Sequence, residues 1–440
     1  MSKIEWIETT VGEYCPFIYG KALPQSKRIS GDVPVYGSNG VVDFHNSSCV
    51  DSAGIIIGRK GSVGAVHLSE KPFWVIDTAF YVLNDDIEEL KFTYYLLKTL
   101  GLSEMNSDSA VPGLNRENAH SLKIRIPKDK VHRCEIGRKL SIFDKKIQLN
   151  TQINQTLEQI AQAIFKSWFV DFDPVRAKAD SLAQGKTQAE AELAAQQIIS
   201  GKTPEELTAL SQTHPAQYAE LAEMAKAFPS EFEEVEGFGE VPRGWEKTTL
   251  SEICEMQNGY AFKSSDWTER GIPVIKIGSI KPIIVEVEGN GFVSNEYQNL
   301  RPDFLLTSGD ILVGLTGYVG EVGRIPQGKV AMLNQRVAKF LPKEIDKNHN
   351  FYNYIYCLAR QKQFKEFAEM NSKGSAQANI STKELLKFPI IRANKECHIL
   401  FENKIQAILE KILVNSQNSE ELASVRDLLL PRLLSGEFNE

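Results

Sequence analysis

Residues 56–64 read Ile56-Ile57-Gly58-Arg59-Lys60-Gly61-Ser62-Val63-Gly64, and residues 312–320 read Leu312-Val313-Gly314-Leu315-Thr316-Gly317-Tyr318-Val319-Gly320. Each is an apolar pair followed by GxxGxVG, and the pattern occurs only twice in the 440 residues. An apolar run broken by closely spaced glycines predicts a strand that ends in a tight turn. Neither string opens a long helix, so neither is a good dinucleotide site. Further matches lie on both sides in the same order, the signature of an internal repeat. Trp6, Thr10, Glu13, Cys15 and Gly20 fall on Trp245, Thr249, Glu252, Cys254 and Gly259 at an offset of 239, as does Val33-Pro34-Val35 on Ile272-Pro273-Val274. Asn115, Leu122 and Lys123 fall on Asn379, Leu386 and Lys387 at 264, and Phe143, Lys146, Ile147 and Gln148 on Phe401, Lys404, Ile405 and Gln406 at 258. Leu157, Ile164, Phe165, Trp168 and Phe169 fall on Leu422, Leu429, Leu430, Leu433 and Leu434 at 265. The last step in offset is seven residues, a length that preserves a heptad seam inside a helix.

The chain therefore reads as an α+β duplication: two pseudo-repeated strand-rich domains joined by two long antiparallel helices, with an acidic helical insert between the halves. The first domain covers residues 1–127 and the second 241–391; the helical regions cover 128–178 and 392–440, and the insert 179–240. Each domain ends in a more helical part, near residues 92–100 and 352–370. In the first helix, predicted over 142–169, Leu149, Ile153, Leu157, Ile160, Ile164 and Trp168 recur at three- and four-residue spacings and predict a seam. Ile405, Ile408, Ile412, Leu422 and Leu429 are its counterparts in the second, where Asn415 and Ser419 read as interruptions.

Charge is distributed unevenly. The net charge is −7, which argues against nucleic acid, whose non-specific affinity comes from Lys and Arg on phosphates. Yet the insert alone carries 12 acidic against 3 basic residues, so the rest of the chain is slightly basic. Its runs at 189–199 and 204–210 predict short, solvated surface helices. A 42% hydrophobic and 24% charged composition excludes a disordered or collagen-like chain. No apolar stretch suits a membrane span or signal peptide, so a cytoplasmic protein is expected. Six scattered cysteines without a CxxC pair suggest neither a zinc site nor disulfides, and no metal is expected.

Catalytic patterns are missing. Gly185-Lys186-Thr187 and Gly201-Lys202-Thr203 look like the end of a phosphate-binding loop but lack its first glycine. The histidines form no HExxH pair and no nucleophile elbow occurs. A binding or assembly role is expected, either on DNA or as a two-domain scaffold for proteins.

Three longer strings carry a family resemblance: Trp168-Phe169-Val170-Asp171-Phe172-Asp173-Pro174-Val175 closing the first helix, Leu430-Pro431-Arg432-Leu433-Leu434-Ser435-Gly436-Glu437 closing the second, and Val241-Pro242-Arg243-Gly244-Trp245-Glu246 opening the second repeat. With them the chain resembles the specificity subunit of type I restriction-modification systems over nearly its whole length, apart from much of the insert. The resemblance implies two target-recognition domains, each reading one half of a split site in double-stranded DNA, separated by two conserved helical regions that set the spacing. It also implies partners that do the chemistry: methyltransferase subunits, expected to be two, docked on the helices, with restriction subunits as an optional further component. S-adenosylmethionine, ATP and Mg would be bound by those partners, with no cofactor and no catalytic residue in this chain.

Base readout needs Arg, Lys, Asn or Gln at base edges, with hydroxyls and amides on phosphates. The candidates beside the glycine-rich loops are Ser38, Asn39, Arg59, Lys60 and Ser62 in the first domain. In the second they are Lys276, Thr316, Tyr318, Gln335, Arg336 and Lys373. Because these regions are only mildly basic, weak DNA binding by the isolated chain is expected.

Overall fold

The computed structural model describes residues 4–105, 113–374 and 378–435. The fold is mixed α+β, in two compact units drawn from residues 1–149 with 419–440 and from residues 150–418. The end of the closing motif of the second helix, Gly436-Glu437, lies outside the described residues.

In the first unit, Gly54–Gly58 is the buried centre of a four-stranded sheet, flanked by Ala79–Val82 and Val66–Ser69, with Ile18–Tyr19 at the edge. Ile55, Ile56 and Ile57 are fully buried, which explains a continuous apolar run rather than an alternating one. The strand Trp6–Thr10 pairs antiparallel with Lys123–Pro127, Trp6 opposite Pro127, so the two ends of the domain meet. In the second unit the same plan recurs. Ile311–Gly314 lies between Val337–Pro342 and Val322–Arg324, and Glu246–Thr249 pairs with Pro389–Arg392. Registers agree as well: Gly58 pairs with Ala79 in the first unit and Gly314 with Val337 in the second.

The two long helices are Lys130–Phe169 and Lys395–Ser435. The first starts a dozen residues before the predicted position, because the polar stretch Lys130–Ser141 packs Ile136 and Leu140 inward despite its weak periodicity. Within the second unit the helices run antiparallel. Phe165 meets Phe401 at 5.8 Å between ring centroids, while farther along the Asn154 side chain donates to the Ile412 carbonyl at 3.1 Å. The seam differs from the predicted one. Ile153 and Ile160 face outward, exposed at 37% and 43%, and Leu149 is exposed too. Their places are taken by Asn150, Asn154, Glu158, Ala161 and Phe165, all buried. Trp168, Ile405 and Ile412 are buried as expected; Leu157, Ile164, Ile408, Leu422 and Leu429 are half-buried.

Asn415, read from the sequence as an interruption, is a seam residue only 3% exposed. Its side-chain amide donates to Asn154 Oδ1 at 2.9 Å, and Asn150 Nδ2 donates to the Asn415 carbonyl at 3.4 Å. A buried asparagine layer is tolerated because its members satisfy one another, and it penalises any slip that separates them.

In each unit a helix of the strand-rich domain is anchored to a long helix through a tyrosine. In the first unit Tyr95, on Ile87–Lys98, donates to Asp144 Oδ2 at 2.5 Å, and Asp144 also pairs with Arg426. In the second, Tyr356, on Tyr352–Ala359, donates to Glu158 Oε2 at 2.8 Å, and Arg360 reaches Glu158 Oε1 at 3.2 Å. Burial and the adjacent carboxylates push both phenols well above their ordinary range, so both remain donors.

The insert is more than a solvated surface. Its helices Gln188–Ser200, Pro204–Thr213 and Pro215–Ala227 bury Ala195, Leu207, Met224 and Ala225 in the core of the second unit, together with Val175 of the preceding helix Asp173–Ala183. The Lys178 ammonium donates to the carbonyls of Ala225 and Phe228 at 3.1 and 2.5 Å, closing the last of these helices. The two Gly-Lys-Thr strings are helix punctuation: Thr187 and Thr203 are N-caps in capping boxes with Glu190 and Glu206.

The asparagine layer predicts a coupled pair. Asn154→Leu removes the acceptor of the Asn415 amide and should cost about 1–3 kcal/mol in chemical denaturation. The double variant Asn154→Leu/Asn415→Leu should cost clearly less than the sum of its singles.

Candidate nucleic-acid interface

In each unit the strand pairings gather loops at one end of the domain. In the first unit Ser38 Oγ donates to the Thr78 carbonyl at 2.5 Å, and the amides of Arg59 and Lys60 donate to the same oxygen at 2.9 and 3.1 Å. The Leu114 amide in turn donates to the Arg59 carbonyl at 2.9 Å. Residues 36–40, 58–62, 76–79 and 113–116 thus form one cluster. In the second unit the Leu315 amide donates to the Arg336 carbonyl, and the Ile380 amide to the Leu315 carbonyl, both at 2.9 Å. Tyr260 and Gln335 join through a 2.8 Å backbone bond, and Lys373 bridges to Asn379. The parallel pairings Tyr36 with Val75 and Ile275 with Leu333 bring in the remaining strand ends, Lys276 among them.

Glycines make these close approaches possible. A Cβ on Gly58 would lie 2.0 Å from the Ser62 carbonyl oxygen, and one on Gly314 2.5 Å from that of Tyr318. The repeated glycines at positions 20 and 259 meet the carbonyls of Ile76 and Asn334 equally closely. The shared pattern therefore encodes backbone geometry, leaving the intervening side chains free to differ.

Most sequence-predicted residues fall in these clusters, with two corrections. Ser38 and Thr316 are buried and spend their hydroxyls internally, Thr316 Oγ1 donating to Asn379 Oδ1 at 2.8 Å. They build the loops rather than present groups to a ligand. A short polar residue beside glycines reads as exposed from sequence, and only the tertiary pairing shows otherwise. Asn39, Lys60, Ser62, Tyr318, Gln335, Arg336 and Lys373 are exposed. Arg59 is half-buried, with Nη1 donating to the Asp77 carbonyl at 3.1 Å and its guanidinium 5.1 Å from the centre of the Tyr19 ring. Lys276 sits 4.1 Å over the Trp267 ring.

Several partners were not visible in the sequence. Arg116 lies 5.0 Å from the Tyr19 ring, so two guanidinium groups stack near this exposed tyrosine. His120 holds the arrangement together by accepting the Phe17 amide at 2.8 Å. Burial and the nearby Arg116 charge lower its pKa, which keeps the ring a neutral acceptor. In the second unit Arg301 lies 5.1 Å from the Tyr260 ring. Tyr19 and Tyr260 flank the matched glycines at 20 and 259, the one sequence signal that could have pointed to them. Cations stacked on aromatic faces are pre-oriented, with apolar surface beside them; such a set suits phosphates, sugars and base edges. No group of three or more His, Cys, Asp or Glu among the described residues is arranged to hold a metal ion. No helix among them is long and apolar enough to cross a membrane.

Comparison with known proteins agrees with this architecture. Residues 3–159 and 242–417 match the model of the type I restriction modification DNA specificity domain, so the chain belongs to that family. It is 40% identical over 380 residues to the type I restriction enzyme HindI specificity subunit of Haemophilus influenzae, covering 83% of this chain and 81% of the relative. It is 29% identical over 209 residues to the MjaVIII specificity subunit of Methanocaldococcus jannaschii, covering 46% of this chain and 48% of the relative. The crystal structure of the type I S subunit from M. genitalium has the same fold, with a TM-score of 0.53 at 16% identity over 98% of this chain and 97% of that one.

The two roles of polar loop residues can be separated by stability. Thr316→Val should lower the unfolding free energy by about 1 kcal/mol. Tyr318→Ala and Lys373→Ala should each change it by less than about 0.5 kcal/mol in the same denaturant titration.

Proposed function

We propose that each strand-rich domain reads one half of a bipartite site in double-stranded DNA, that the long helices set the gap between the halves, and that methylation and cleavage belong to partner subunits. The observation that carries this reading is the pair of equivalent loop clusters, one per domain, each presenting cations stacked on aromatic rings. Their shared backbone and different side chains are what two half-sites of different sequence require. A 40-residue helix rises about 60 Å, more than one turn of duplex at about 34–36 Å, and so is long enough to act as a spacer. S-adenosylmethionine, ATP and Mg are assigned to the partners.

The partners are proposed to be two methyltransferase subunits, with a restriction subunit as a further component. On the first long helix Ile142 and Leu149 are exposed in the first unit, and Ile153 and Ile160 in the second. Val414, Val425 and Leu428 are exposed on the second helix. Leu149 and Val414, and likewise Ile160 and Val425, are 265 positions apart, the offset of the repeat. A duplicated apolar surface suits two copies of one helical partner.

Two measurements test this. Selection from a random duplex library by the chain assembled with its methyltransferase should enrich two short fixed blocks around a constant gap; contiguous sites, or none, would refute the reading. Ile153→Glu/Ile160→Glu should leave the unfolding midpoint unchanged while abolishing co-purification of the methyltransferase.

A further inference from the structure

The two loop clusters share one backbone hydrogen bond, from the first residue after the central strand to the facing turn. In the first domain it runs from the Arg59 amide to the Thr78 carbonyl, and in the second from the Leu315 amide to the Arg336 carbonyl, both at 2.9 Å. The register that fixes this correspondence is the pairing of Gly58 with Ala79 and of Gly314 with Val337. Each domain thus carries one arginine at this bond, supplied by opposite sides: the donor residue in the first domain and the acceptor residue in the second.

Arg336 is unusual in a second respect. Its φ is +73°, a left-handed conformation that favours glycine and that an arginine adopts at a cost in stability. Its side chain is exposed, and its guanidinium makes no hydrogen bond or ion pair with any described residue. Nothing among the described residues bonds this side chain, although glycine would suit the backbone better. Arg59 is instead held ready by the Asp77 carbonyl and the Tyr19 and Phe80 rings.

We propose that Arg59 and Arg336 are the specificity-determining residues at equivalent places in the two domains, each reading a guanine in its own half-site. This rests on the DNA-reading function proposed above. The planar guanidinium fork matches guanine O6 and N7 with two fixed donors, a geometry that the flexible point charge of lysine enforces less strictly. Delivery from opposite sides of the same bond places the two forks differently against the duplex, so the two domains need not read the same base position.

The test uses the full chain assembled with its methyltransferase and a duplex library spanning both half-sites. Arg336→Gly should raise the unfolding midpoint or leave it unchanged, since it relieves the left-handed residue. It should also relax selection at one G·C pair of one half-site by about 10-fold to 100-fold, with the other half-site unaltered. Arg336→Lys should relax the same pair despite keeping its charge, and Arg59→Lys should relax a pair in the opposite half-site. Weakening that is uniform over all sequences, with a smaller salt dependence, would identify phosphate contacts and overturn the proposal. Unchanged selection would overturn it as well. Failure of the unmodified complex to enrich a two-block site would instead overturn the underlying DNA reading.

Discussion

Two carboxylates on the long helices, the buried Glu158 and the half-buried Asp144, hold this structure together. Asp144 receives Tyr95 and Arg426, and Glu158 receives Tyr356 and Arg360. The anchor at Glu158 satisfies a charge that burial would otherwise make costly, and each anchor ties a recognition-domain helix to a long helix. Each carboxylate takes two partners, at least one of them from the domain, so domain and long helix are joined within each unit. Loops on a domain joined in this way are held more precisely than loops on a flexible hinge.

The seam between the helices uses the same economy of polar groups. Asn154 and Asn415 contribute little apolar contact, yet their mutual hydrogen bond admits one alignment only. On the proposed function, in which the helices space two binding surfaces, alignment matters more than raw stability. Polar residues specify the seam, while the apolar Ile153 and Ile160 stand outside it.

The sequence was most legible where the backbone itself imposes a residue type. The repeated glycines at 58 and 314, and at 20 and 259, have no room for a Cβ, and they exposed the duplication and the loop positions directly. It was least legible where side chains meet across long separations. Asn415 looked like a break because hydrophobic periodicity cannot register a polar residue whose partner lies 261 positions away. Ile153 and Ile160 fitted the seam because a helix with apolar residues on two faces satisfies the same spacing rule. Ser38 and Thr316 looked available because hydroxyls beside glycines are usually exposed, and the carbonyl or amide they serve is set only by the fold. The Tyr19, Arg59 and Arg116 stack joins three separate loops and has no local signature.

The first and last strands of each recognition domain, Trp6–Thr10 with Lys123–Pro127 and Glu246–Thr249 with Pro389–Arg392, lie side by side in a two-stranded ladder. A domain whose chain enters and leaves at adjacent points is a closed cassette. It can be excised and replaced by another of different loop chemistry without rerouting the chain on either side, provided that the new domain carries a tyrosine to meet the waiting carboxylate. On the proposed function, a crossover within two short stretches of the gene would exchange one half of the recognised sequence at a time.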